Sequence, residues 1–163
     1  MSTRALQYDA RVERRDRLRP QGRLLNHCIT RPHNRHQETG AFIDRYVFPD
    51  GELTGSGRII TAAQNTGLEV MHEENFRLHY ARTRAGWCRN LQENWDACVA
   101  EVGEGTARVW GLYMAGSRLA FERNEIQLHH VLAVKTDDLG HDAYPWRPTF
   151  PMEARYPETP DGA

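Results

Sequence analysis

The sequence predicts an α/β fold, and three stretches carry that prediction. Arg23 to Thr30, RLLNHCIT, is a short apolar run closed by Arg31-Pro32 and reads as a buried strand. Between Thr83 and Val102, the residues Trp87, Leu91, Trp95, Cys98 and Val102 recur at intervals of four, four, three and four, which is one stripe of an α-helix. Ile126 to Thr136 places Ile126, Leu128, His130, Leu132 and Val134 alternately on one face, the period of a strand.

At 163 residues the chain has the length of one domain with one sizeable core. Its 21 basic and 22 acidic residues nearly cancel, and no run approaches the roughly 18 apolar residues of a membrane span. The Arg-rich start has no apolar run, so it does not read as a secretory signal. Cys28, Cys88 and Cys98 are odd in number. The latter two are expected on one helix, about 15 Å apart, too far for a disulfide. The expectation is a reduced, cytoplasmic protein.

Residues 1 to 23 hold seven Arg against three acids, whereas residues 136 to 163 hold six acids, two Arg and five Pro. The predicted organisation is an atypical basic segment over 1–17, one domain over 18–136, and a Pro-rich, irregular or disordered tail over 137–163. A basic arm can mark nucleic-acid binding. Here Asp9, Glu13 and Asp16 interrupt it, so it reads as a solvated surface helix and no nucleic-acid partner is expected.

Taken in order, residues 5 to 17 are weakly helical and Arg19-Pro20-Gln21-Gly22 is a reversal. On the first strand Leu25, His27 and Ile29 share one face and Leu24, Asn26 and Cys28 the other. Both faces are expected to be covered, with His27 near the carboxyl end, where open α/β sheets bind ligands. Phe42 to Leu53, FIDRYVFPDGEL, reads as a short helical segment to Val47, an extended Phe48-Pro49 and an Asp50-Gly51 turn. Its apolar content predicts a packed connection.

Thr54-Gly-Ser56-Gly-Arg58 resembles part of a phosphate loop, but no strand precedes it and the third glycine is absent. The plainer reading makes Thr54 or Ser56 the N-cap of a helix running to Asn65, with Gly67 just past its end. Leu68 to Leu78 begins as a strand. The Trp87 stripe is expected to pack into the core. A further helix, Thr106 to Arg123, is expected to turn Val109, Leu112, Tyr113, Gly116 and Ala120 inward, and a phenol so placed is most often a core tyrosine with one hydrogen bond.

The histidines are ambiguous on pattern alone. His27, His33 and His36 are near one another in sequence, yet no metal-ligand spacing accompanies them and no metal site is expected. His129 and His130 face opposite sides of their strand. His27 by itself reads as a satisfied core residue.

Five blocks then resemble one family: Leu18-Arg-Pro-Gln-Gly22-Arg-Leu-Leu-Asn-His27-Cys-Ile29, Phe42 to Leu53, Glu74-Asn-Phe-Arg-Leu-His79-Tyr80-Ala-Arg-Thr83, Trp87 through Trp95, and Tyr113 through Phe121. In order and spacing they are similar to the cyclopropane fatty acid synthases, S-adenosylmethionine-dependent methyltransferases that modify unsaturated acyl chains of lipids. The resemblance covers roughly residues 18 to 135. It implies the C-terminal part of a Rossmann-like methyltransferase fold, in which Arg23 to Thr30 is the fifth strand and the strands from Leu68 and Ile126 are the final antiparallel pair.

The chemistry it implies is methylation of an alkene, with a bound bicarbonate taking the proton that closes a ring, or with a methyl or methylene branch as the product. The family's bicarbonate site matches His27, Ile29 through its backbone, and Tyr113, so His27 and Tyr113 are the implied catalytic positions. Phe42, Tyr46, Phe48 and Tyr80 are candidates for the acyl pocket. The implied partners are an unsaturated acyl lipid, a missing N-terminal half or a second copy, and possible peripheral contact with a membrane.

The glycine-rich cofactor loop, the ribose-reading acid, and the cysteine and glutamate of the bicarbonate site have no match here, and Gln21 stands where a glycine is usual. The expectation is a truncated form that does not by itself bind S-adenosylmethionine or bicarbonate normally, and whose incomplete sheet leaves an edge at Arg23 to Thr30. The alternative is a non-catalytic fragment retained as a lipid-binding or interaction module.

Overall fold

The computed structural model describes residues 16–35, 40–49 and 51–146. In chain order the elements are β1 (Arg23–Thr30), α1 (Ala41–Tyr46), α2 (Ser56–Asn65), β2 (Glu69–Asn75), α3 (Arg77–Glu93), α4 (Trp95–Val102), α5 (Glu104–Glu122) and β3 (Gln127–Val134). The three strands form one sheet in the order β1-β3-β2, antiparallel at both junctions. The expected antiparallel pairing of β2 with β3 is present, and β1 lies at an edge. The expected segment over 1–17 falls almost wholly outside the described residues, as does the tail beyond 146. Residues 135–146 carry no helix or strand.

β3 is the most buried strand because it is central. Val131, Ala133 and Val134 are each at most 2% exposed. On one face, α2 lays Ile59 and Ala63 against Cys28, Val131 and Ala133, with Leu24, Leu68 and Val70 closing the layer. Each such aliphatic side chain removed from water contributes about 1.5–3 kcal/mol. On the other face, α3 and α5 cover only one end of the sheet. There Ala81, Phe121 and Leu128 form a cluster with Ile29, Phe76, Tyr80 and Ile126 around it.

That partial cover corrects one expectation. β1 is not buried on both faces: Leu25 is 56% exposed and His27 is exposed, because no helix among the described residues reaches over that end of the strand. The helical stripe is also different from the expectation. α3 starts at Arg77, and the helix breaks at Asn94, whose side-chain amide donates to the Asn90 carbonyl at 2.8 Å and whose φ/ψ of −114/27 leaves the helical well. Cys88 and Cys98 therefore lie on separate helices, and none of the three cysteines is in a disulfide.

None of the stripe is buried. Leu91 and Trp95 lie against α5 at Gly111, but Trp87 is 41% and Val102 49% exposed. On α5 the buried positions are Ala107, Tyr113, Ser117 and Phe121. Tyr113 points inward as expected, whereas Leu112 and Gly116 face out. A charged clamp ties the two helices: the Arg77 guanidinium donates to the carbonyls of Phe121 and Glu122 at 2.7 and 2.9 Å, satisfying the end of α5.

The connection before α2 is less packed than its composition predicts. α1 has no buried residue, and Tyr46 and Phe48 are about half exposed. Gly51 N–H closes a turn onto the Phe48 carbonyl; Asp50 lies outside the described residues. Neither Thr54 nor Ser56 caps α2, whose N-cap is Gly55 with no side-chain bond. The glycines of this turn are needed for space. A side chain at Gly55 or Gly57 would meet Asn34, and at Gly55 the His33 backbone too. Gly67, at φ 78, ends the helix as predicted.

Candidate functional site

The implied site residues fall into two groups on either side of the Phe121 cluster. The first is a product of strand register. β1 and β3 pair so that His27 stands opposite His130, and their rings meet with Nδ1 of His27 2.7 Å from Nε2 of His130. Phe76, the residue that follows β2, packs on the His130 ring at 4.4 Å between centroids. One imidazole must donate and the other accept, so the bond requires that the two rings not both be protonated. Burial holds the His130 pKa below the ordinary histidine value, the neighbouring His27 lowers it further, and Glu74 opposes both. With Nδ1 engaged, Nε2 is the His27 nitrogen left for a ligand on the open side of the sheet.

His129 points the other way, as alternation requires. It is buried, meets the Thr30 hydroxyl at 2.7 Å through Nδ1 and lies 3.7 Å from Glu73. Burial lowers its pKa and Glu73 partly restores it. This is a core histidine with one hydrogen bond, to Thr30, and a carboxylate near its other nitrogen.

The second group surrounds Tyr113, which is 7% exposed. Its hydroxyl accepts a hydrogen bond from Nη2 of Arg84 at 3.0 Å. Arg84 is itself only 4% exposed, and its guanidinium lies over three rings, Trp87 at 4.8 Å, Tyr113 at 5.0 Å and Tyr80 at 5.1 Å. No carboxylate pairs with it among the described residues, and its Nε is buried without a hydrogen-bond partner. The aromatic faces offset part of the cost of burying this cation, about 0.5–2 kcal/mol for each well-placed ring. Phe48 and Trp110 add edge contacts to Tyr113 at 5.6 and 5.5 Å.

Of the acyl-pocket candidates, the structure therefore brings Phe48 and Tyr80 to Tyr113. Phe42 and Tyr46 stack on each other at 5.7 Å instead, one helical turn apart on α1. No hydrogen bond joins His27 to Tyr113 among the described residues. Ile29 and Tyr80 connect the groups through the Ala81, Phe121 and Leu128 cluster. The whole arrangement sets a histidine pair on an open sheet face and a polarised phenol in an aromatic pocket, a combination suited to holding a small anion beside an apolar chain.

Two of these participants were not singled out from the sequence, His130 as the partner of His27 and Arg84. Arg84 was findable: Tyr80, Arg84 and Trp87 follow at intervals of four and three, one helix face. Among the described residues no three His, Cys, Asp or Glu side chains come together as a metal site; His36 lies outside them. No described helix is long and apolar enough to cross a membrane.

A family model described as mycolic acid cyclopropane synthetase matches residues 4–131. A probable fatty acid methyltransferase of Mycobacterium tuberculosis is 66% identical over 135 residues, covering 82% of this chain and 32% of its own length. A probable fatty acid methyltransferase of Pseudomonas putida is 44% identical over 133 residues, covering 79% of this chain and 34% of its own. Among solved structures, mycolic acid cyclopropane synthase CmaA1, in complex with SAH and CTAB, superposes with a TM-score of 0.69 at 26% identity, over 78% of this chain and 50% of that one. The chain spans about a third of the length of the two curated relatives and half of the solved structure. Its fold is accordingly part of the S-adenosylmethionine-dependent methyltransferase fold.

Proposed function

Because the chain belongs to the mycolic acid cyclopropane synthetase family, we propose that it contributes the acyl-chain and bicarbonate half of an S-adenosylmethionine-dependent C-methyltransferase acting on double bonds of unsaturated lipid acyl chains. The observation that carries this reading is the buried Tyr113–Arg84 pair, flanked by Phe48 and Tyr80 and linked through the Phe121 cluster to Ile29 on the strand that bears His27. The fatty acid methyltransferases of M. tuberculosis and P. putida support a lipid substrate.

The residues present fit bicarbonate better than the methyl donor. Tyr113 supplies a hydroxyl whose oxygen already accepts from Arg84, so its proton is free to donate, and an uncompensated cation lies beside it. Such donors favour an oxyanion in an apolar surround. The described glycine-rich turn that could suggest a cofactor cradle is filled by Asn34. On this reading the residues that hold S-adenosylmethionine belong to the part of the relatives that this chain does not span. When bound, the two groups supply the methyl and a small base for the proton lost on ring closure.

This chain's own side chains then have distinct tasks. Tyr113 donates to an anion oxygen, and His27 presents Nε2 with its ring held by His130 through the other nitrogen. The backbone of Ile29 completes the cradle. Phe48 and Tyr80 wall the acyl chain and exclude water, which strengthens every hydrogen bond made inside. Phe42, partly buried, and Tyr46, half exposed, extend the apolar surface of α1 toward the lipid, where peripheral membrane contact is expected. By itself the chain is expected to transfer no methyl group.

The test is a chimera in which this chain replaces the matching third of the M. tuberculosis relative. Transfer of labelled methyl to an unsaturated phospholipid, rising with added bicarbonate and lost in His27→Ala and Tyr113→Phe, is the expected result. Unchanged transfer in both variants would refute the assignment.

A further inference from the structure

We propose that Arg84 is the positioning residue of Tyr113: its guanidinium occupies the phenol oxygen as a donor, which turns the Tyr113 O–H outward as a committed donor to the anion. Resting on the bicarbonate reading above, the inference adds a residue and a direction to it. A guanidinium has five N–H donors and no acceptor. The Tyr113 hydroxyl can therefore only accept from Arg84, and its proton has to be directed elsewhere. A tyrosine bonded to a carboxylate or carbonyl would do the reverse and spend its proton inside the protein.

Arg84 is also held for this task. It is buried, it carries no paired acid, and Tyr113 is its one hydrogen-bond acceptor among the described residues. Tyr80 and Trp87, from the turns on either side of it in α3, flank the guanidinium with rings that meet edge to face 6.0 Å apart. A cation left without an acid partner in a protein interior is costly. Its charge here lies beside the one phenol that the site uses, where it attracts an anion.

The experiment uses the full chain labelled with tyrosine carrying carbon-13 at Cζ, whose shift reports hydrogen bonding at the phenol oxygen. Arg84→Met, which keeps an apolar stem, is expected to move the Tyr113 signal, and Arg84→Lys, which keeps a donor, to restore part of the shift. Should Arg84→Met not fold, the wild-type Arg84 Nη2–H signal compared with that in Tyr113→Phe gives the same answer. In the chimera, Arg84→Met is expected to raise the bicarbonate KM about tenfold with a smaller change in kcat, and Arg84→Lys to recover part of it.

A Tyr113 signal unmoved in Arg84→Met, or an Arg84 Nη2–H signal unmoved in Tyr113→Phe, overturns the proposal. So does an unchanged bicarbonate KM in an otherwise bicarbonate-dependent chimera. If no form depends on bicarbonate while the Tyr113 signal still follows Arg84, the bicarbonate reading fails and the positioning of the phenol by Arg84 stands.

Discussion

His27 and His130, 103 residues apart in the chain, share a 2.7 Å hydrogen bond across the β1–β3 ladder. The bond makes His27 a ring of fixed orientation on a face that is otherwise open. Replacing His130 by Ala should free the His27 ring to turn. The expected result is loss of the His27 Nδ1 correlation to its partner in nitrogen-15 spectra, together with a several-fold fall in methyl transfer by the chimera; an unchanged His27 spectrum would contradict it.

Acid should destabilise the fold earlier than carboxylate titration alone would. His129 and His130 both have pKa values lowered by burial, with Glu73 and Glu74 only partly opposing this. The unfolded chain therefore takes up protons first as pH falls. Their contribution to stability is complete above about 6.5 and is lost progressively below it, toward the lowered folded values. Urea midpoints should drop between about pH 7.5 and pH 5.5, and His129→Gln, which can still bond Thr30, should flatten that drop.

The junction of α3, α5 and β3 should be the most sensitive packing site. Phe121 is fully buried, against Ala81, Leu128 and the Tyr80 ring. Phe121→Ala is expected to cost about 3–5 kcal/mol in chemical denaturation. Arg77→Ala, which strips two bonds from the end of α5, should cost about 1–3 kcal/mol.

Gly55→Ala should cost about 1–3 kcal/mol, because its Cβ would press on the Asn34 side chain and the His33 carbonyl, and backbone cannot yield as a flexible side chain does. Asn34→Ala in the same chain should recover part of the loss. A neutral Gly55→Ala would show that the turn adapts.

Leu25, 56% exposed on an edge strand, should drive self-association. Sedimentation of the wild-type chain is expected to show oligomers, and Leu25→Lys to shift them toward monomer. A monodisperse wild-type monomer would contradict this.

Much of the fold was legible locally. β1 has the predicted bounds, because Pro32 and the Arg19–Gly22 reversal fence it in sequence, and α2 ends before Gly67 as a glycine terminus requires. The break at Asn94 was hidden, since a continuous apolar stripe gives no sign that one amide will bond its own helix. Burial was less legible than secondary structure. Trp87 and Leu25 belong to regular apolar patterns, but a pattern says which face they occupy and not whether another element covers it. The inward turn of Tyr113 followed from helix periodicity, whereas its bond to Arg84 depends on how α3 and α5 dock. The His27–His130 pair depends on a strand register that no local feature encodes.

The account stands most directly on whether this chain completes a methyltransferase. Calorimetry of S-adenosylmethionine with the chain, with the remaining portion of the M. tuberculosis relative, and with the two mixed measures that. Saturable cofactor binding that neither part shows alone is the predicted result, and heats on mixing equal to the sum of the separate parts would contradict it.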